Sequence, residues 1–137
     1  MADELDIAGL LRRARTIAVV GLSPRPERDS HRVARYLQQH GYRVVPVNPG
    51  LAAVLGERCY PELAAVPDDV AIDIVDVFRR PEFVPAIAEQ AVARRAGALW
   101  LQLGIVDHAS AALARRGGVP VVMDRCIKVE HARLLGL

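Results

Sequence analysis

The chain has 137 residues, 52% of them hydrophobic and only 4% aromatic, enough for one domain with a core of Val, Leu, Ile and Ala. Its 18 Lys and Arg against 16 Asp and Glu leave a net charge of +2, too balanced for the basic stripe of a nucleic-acid binder. The acidic start is no secretory signal, and no stretch approaches the ~18 apolar residues of a membrane helix, so the expectation is a cytoplasmic protein with no membrane association. Cys59 and Cys126 lack CxxC spacing and read as free thiols. His31, His40, His108 and His131 show no ligand spacing, so no metal site is expected.

Residues 3–14 set Leu5, Leu10 and Leu11 among charges and predict a leading helix ahead of a single core over 15–137. Thr16–Val20 reads as the first strand. Ser30 is a plausible N-cap for a helix over about 31–40, where Val33, Ala34 and Leu37 repeat at helical spacing and Gly41 ends the run. Arg43–Val47 is the second strand, closed by Asn48-Pro49-Gly50. Residues 51–56 read as irregular or helical, and Pro61 suits the first position of a further short helix. Residues 71–77 form the third strand, with Asp73 and Asp76 on opposite faces of the pleat. Pro81 opens a helix to about Arg95, residues 98–103 form the fourth strand, and Asp107 caps a helix that Gly117-Gly118 stops. A fifth strand over 119–123 and a helix over 127–135 close the chain.

Apolar strands alternating with helices imply an α/β fold: a doubly wound, mainly parallel five-stranded sheet in three layers, covered on both faces. Ligands of such sheets bind outside the carboxyl ends of the strands, so unusual residues should collect there. The first exit offers Gly21, Leu22 and Ser23 with Arg25, Arg28 or Arg32, a glycine turn with basic side chains that suits a phosphate. Ser23 and Pro26 stand where a dinucleotide fingerprint has glycine, and Asn48 replaces the acidic residue that receives ribose, so NAD is not expected. Taken alone, Val47-Asn48-Pro49 is a rigid turn. At the third exit Phe78 is either a core plug or a flat face for adenine or pantetheine, with Arg79 or Arg80 on a phosphate or a carboxylate. Gln102 ending an apolar strand before Gly104 is a mild pointer to a polar ligand. Asp124, Arg125 and Cys126 read as an ion pair beside an inert thiol ahead of a reactive thiolate. No catalytic constellation is legible.

Together these exits resemble a known family. The run Gly21–Ser30, then Gly41–Pro49, Asp76–Arg80, Trp100–Ile105 and Val121–Glu130 is similar to the stand-alone CoA-binding domains of bacteria and archaea, from about residue 14 to 134. The resemblance implies a Rossmann-like fold and coenzyme A as the ligand. By that similarity the Gly21–Ser23 loop with Arg25 and Arg28 receives phosphates, while Val47, Asn48, Pro49, Val77, Phe78 and Arg79 flank the adenosine half. Gln102, Leu103 and Gly104 line the path of the pantetheine arm. Related acyl-CoA ligases carry a phosphorylatable histidine in a further domain and use an ATP-grasp partner; this sequence shows neither, so acyl-CoA synthesis by the chain alone is not expected. The leading expectation is non-catalytic binding of CoA or acyl-CoA by a carrier, sensor or regulatory module, with a protein partner or homo-oligomer compatible with it. The alternatives are a partner-dependent subunit of an acyl-CoA ligase and a thiol protein forming a mixed disulfide with CoA through Cys126.

Overall fold

A computed structural model describes residues 6–136, so the first residues of the expected leading helix, Leu5 included, lie outside the described part. Helix α1 (Ile7–Arg13) starts where the Asp6 carboxylate accepts the Gly9 N–H at 2.9 Å. There follow β1 (Thr16–Val20), α2 (Asp29–Gln39), β2 (Arg43–Val47), β3 (Ala53–Val54), β4 (Glu57–Arg58), β5 (Ile74–Val77) and α3 (Val84–Ala93). The chain then forms β6 (Leu99–Leu101), α4 (His108–Arg116), β7 (Val121–Met123) and α5 (Ile127–Leu135). Strands β2-β1-β5-β6-β7 make one sheet in that order, every neighbouring pair parallel. This is the expected doubly wound α/β architecture.

The pleat sorts the apolar residues into two layers. Ala18, Val20, Val45, Val75, Val77 and Leu99 face α3 and α4, whose Ile87, Ala88, Ala91, Ala111 and Ala114 cover them. On the other face Ile17, Val19, Val44, Ile74 and Trp100 meet Leu10 and Leu11 of α1, Val33, Ala34 and Leu37 of α2, and Ile127 of α5. Each fully buried Val, Leu or Ile stabilises the fold by about 1.5–3 kcal/mol, so both sides of every central strand are fixed. At the amino ends of the strands, the Asp73 carboxylate accepts the N–H groups of Arg15 and Thr16 at 2.8 and 2.9 Å, which joins the start of β1 to that of β5.

The structure departs from the sequence reading in several places. Residues 51–56 are not helical: β3 and β4 pair antiparallel across Leu55 and Gly56, both at positive φ (53° and 77°), a primed two-residue turn. Ser30 does not cap α2 but lies in its first turn, with Arg28 at the cap position and making no side-chain cap bond. Pro61 precedes a 3-10 turn at Leu63–Ala65 instead of opening a helix. Pro81 starts a 3-10 turn at Pro81–Phe83 that leads into α3. The third, fourth and fifth sheet strands are shorter than their apolar runs, and Asp73 falls outside β5.

Asp76 is the exception within the core. It is fully buried in β5, in register with Val19 and Trp100, and neither carboxylate oxygen has a hydrogen-bond partner among the described residues. Burial pushes its carboxyl well above the ordinary carboxylate range. The native state therefore holds this proton at pH values where the unfolded chain, with a carboxyl pKa of about 3.9, has released it. Stability conferred by the neutral acid is complete below about pH 4 and is lost as pH rises toward the native pKa, by up to ~1.4 kcal/mol per pH unit. Denaturant unfolding of wild type and Asp76→Asn from about pH 5 to about pH 8 is expected to show a gap that widens in favour of the variant; a gap independent of pH would refute the neutral acid.

Candidate functional site

The winding direction of the sheet reverses between β1 and β5, because β2 lies on one side of β1 and all later strands on the other. The loops leaving β1 and β5 diverge there and open a crevice. Gly21 makes the first exit possible. Its φ is +88°, and a Cβ would stand 2.4 Å from the Phe78 carbonyl oxygen, so only glycine lets the two exits lie side by side. The Gly21 N–H donates to Val47 O at 2.8 Å and the Phe78 N–H to Val20 O at 2.8 Å, which fixes both loops to the strand ends.

The loop after Gly21 is held from two directions. Ser30 Oγ, at the start of α2, accepts the Ser23 N–H at 3.0 Å. The His31 ring donates from Nδ1 to Ser23 O at 2.9 Å. From the end of β2, Asn48 Nδ2 donates to Leu22 O at 2.8 Å. Ser23 Oγ accepts the Arg25 N–H at 3.1 Å, so its own O–H proton is left to donate.

Two adjoining hollows form the crevice. The first, about 460 Å³, is walled by Gly21, Ser23, Glu27, Arg28, Asp29, Ser30 and Phe78. The second, about 640 Å³, runs on from the shared Phe78 and Asp29 past Val33, Arg79, Gln102, Gly104 and Cys126. A smaller hollow of about 130 Å³, which shares the Arg79 wall, is bordered by Val47, Pro49 and Phe83. Arg79 thus stands between the long cleft and the end of β2, with its guanidinium stacked 3.9 Å from the Phe83 ring centre.

Of the residues singled out in the sequence, Gly21, Ser23, Arg28, Phe78, Arg79, Gln102 and Gly104 border the main cleft. Leu22 and Val77 are wholly buried and line none of these hollows. Asn48 has its amide committed to the loop, while Val47 and Pro49 border the small hollow. Arg25 lies outside the cleft wall and pairs with Glu27 at 2.9 Å. Arg80 pairs with Glu82 at 3.8 Å. The expected Asp124–Arg125 pair does not form: Asp124 accepts the Gly104 N–H at 2.7 Å and Arg125 turns to Glu130 at 3.4 Å.

Gln102 is buried, and its Oε1 accepts the Ile127 N–H at 3.0 Å, satisfying an orphan donor at the start of α5. That bond brings the first turn of α5 against the cleft, with half-buried Cys126 at its cap position. Cys59, by contrast, is buried, with its thiol pushed up by burial. Ser30, Val33 and Lys128 also wall the crevice, yet the sequence reading gave them no ligand role. They come from helix starts, whose approach to the crevice depends on tertiary packing; the glycine and proline signals of the loops do not reveal it.

Comparison with known proteins places this geometry in a family. The model of the CoA binding domain matches residues 15–132, and the chain belongs to that family. The uncharacterized protein YneT of Bacillus subtilis (strain 168) is 42% identical over 130 residues, 95% of each chain. A solved structure of a hypothetical protein from Pyrococcus horikoshii OT3 superposes with a TM-score of 0.91 at 41% identity, covering 98% of this chain and 95% of that one. The ADP-forming acetate–CoA ligase I of Archaeoglobus fulgidus is 25% identical over 130 aligned positions that cover 88% of this chain and 19% of the ligase. The fold is thus α/β and Rossmann-like. Among the described residues no helix is long and apolar enough to cross a membrane.

Proposed function

We propose that this chain binds coenzyme A or an acyl-CoA along the crevice, as a non-catalytic carrier, sensor or regulatory module. The observation that carries the reading is the placement of two hollows side by side at Phe78, from a phosphate-sized end at Gly21 and Ser23 to a longer reach at Gln102, Gly104 and Cys126. A ligand with an anionic middle and a thin amide-bearing tail matches that sequence of surfaces. In this reading the diphosphate lies against Gly21, Ser23 and Arg28, with Arg25 reinforcing from the rim. The adenosine half lies beside Val47, Asn48, Pro49 and Arg79. The pantetheine arm crosses Phe78, Gln102 and Gly104. Family membership supports the ligand class. Isothermal calorimetry with CoA, dephospho-CoA and NAD is expected to give micromolar or tighter affinity for CoA and the weakest response to NAD. Arg28→Ala and Arg79→Ala should each weaken CoA by about tenfold, the worth of one charge-assisted hydrogen bond. Indifference to all three ligands would end the reading.

A second reading rests on Cys126 in the cleft wall. Its thiolate attacks one sulfur of a CoA disulfide; the S–S bond breaks, a Cys126–CoA disulfide forms, and the second thiol leaves and takes up a proton. Mass spectrometry after incubation with CoA disulfide should find an adduct of CoA mass that is lost in Cys126→Ser; an adduct surviving that change would rule it out. The similarity to the acetate–CoA ligase supports the further reading of a subunit serving a separate ligase chain. Its mark is ATP-dependent acyl-CoA formation by a co-purified complex and by neither part alone.

A further inference from the structure

A third hollow, of about 230 Å³, opens between α2 and α5. Its walls include His31, Arg32, Arg35, Tyr36, Gln39 and Lys128, and among the described residues no carboxylate lines it. It adjoins the main cleft, with Arg32 and Lys128 forming part of the wall of both. Lys128 belongs to the first turn of α5, the positive end of that helix, and its ammonium is held 5.5 Å from the centre of the Tyr36 ring. Arg32 is paired with Asp29, whereas Arg35 and Lys128 have no ion-pair partner among the described residues. Arg35 and Lys128, neither held by a carboxylate, thus share one small space with Arg32 beside them, and an anion placed among them gains attraction from each.

The position of the hollow indicates which anion. With the phosphates at Gly21 and Ser23, an arm crossing Gln102 brings its sulfur toward Cys126, and Lys128 stands two residues beyond. Whatever is attached to that sulfur is directed at the basic hollow. We infer that the hollow receives the free end of an acyl group bearing a second carboxylate, so that the preferred ligand is a monothioester of a dicarboxylic acid. The inference rests on the proposed seating of CoA in the cleft and adds the class of acyl group.

The test compares malonyl-CoA and glutaryl-CoA with isovaleryl-CoA and hexanoyl-CoA, neutral tails of similar size, by calorimetry on the full chain. At least one carboxylated ligand should bind about tenfold tighter than its neutral match, the gain expected of one new charge-assisted contact. That advantage should shrink in high salt and vanish in Arg35→Gln and Lys128→Met, while Arg35→Gln leaves the affinity for unacylated CoA unchanged. Equal binding of charged and neutral tails by wild type overturns the inference and leaves the CoA reading intact. So does an advantage that survives Arg35→Gln. A loss of CoA affinity in Arg35→Gln that is absent with dephospho-CoA assigns the hollow to a nucleotide phosphate and also overturns it. Failure of every CoA species to bind removes the cleft reading itself, and this inference with it.

Discussion

The crevice depends on the contact between Gly21 and the carbonyl of Phe78. Two parallel strands whose loops must part in opposite directions are brought together here with no side chain between them. The left-handed turn at Gly21 sends Leu22 down into the core, where it is fully buried, and lets the following residues return over the strand ends toward α2. Bonds from Ser30, His31 and Asn48 then hold the loop against helix and strand at once. The result is a loop whose shape is fixed by the protein's own hydrogen bonds.

Its charges are arranged differently from its backbone. Arg25 and Arg32 are engaged by Glu27 and Asp29 of the same loop and helix start. All four side chains are more than half exposed, and such pairs contribute only about 0–1 kcal/mol. An arriving anion can take these arginines from their carboxylates at little cost. Arg28 and Arg79 have no carboxylate to leave among the described residues, and Arg79 is kept in place by the Phe83 ring instead.

Much of this was legible in the sequence where one residue type dictates one conformation. The apolar runs of β1 and β2, the Gly41 stop after α2, the Asp107 cap of α4 and the extent of α5 follow from periodicity and capping alone. The β3–β4 hairpin was not legible, because Leu55 takes a positive φ that a leucine seldom adopts. Ser30 carried a true signal read in the wrong role: its hydroxyl accepts a backbone N–H, but that of Ser23 across the loop instead of one in its own helix. The strand exits border the cleft, yet which exit side chains line it depends on the pleat and on helix packing. Leu22 and Val77 turn inward, while Val33 and Lys128 enter the wall from the helices that follow the first and fifth exits. The basic hollow is a product of helix pairing between α2 and α5 and left no local trace.

Pro46, in the middle of β2, has a consequence at the margin of the sheet. Its carbonyl points outward and accepts the Tyr60 N–H at 3.0 Å, and the Asn48 N–H donates to Tyr60 O at 2.8 Å. The imino nitrogen therefore falls on the outer side, where no bond to β1 is lost, and the Tyr60 segment crosses the outside of the strand. At the far margin β7 is only three residues long, and the Arg115 guanidinium reaches the Val121 carbonyl at 3.5 Å. Both borders thus discourage a foreign chain from docking as an additional strand, a guard against fibril-like growth. A macromolecule that engages this protein is thereby steered toward its helical flanks or the mouth of its crevice.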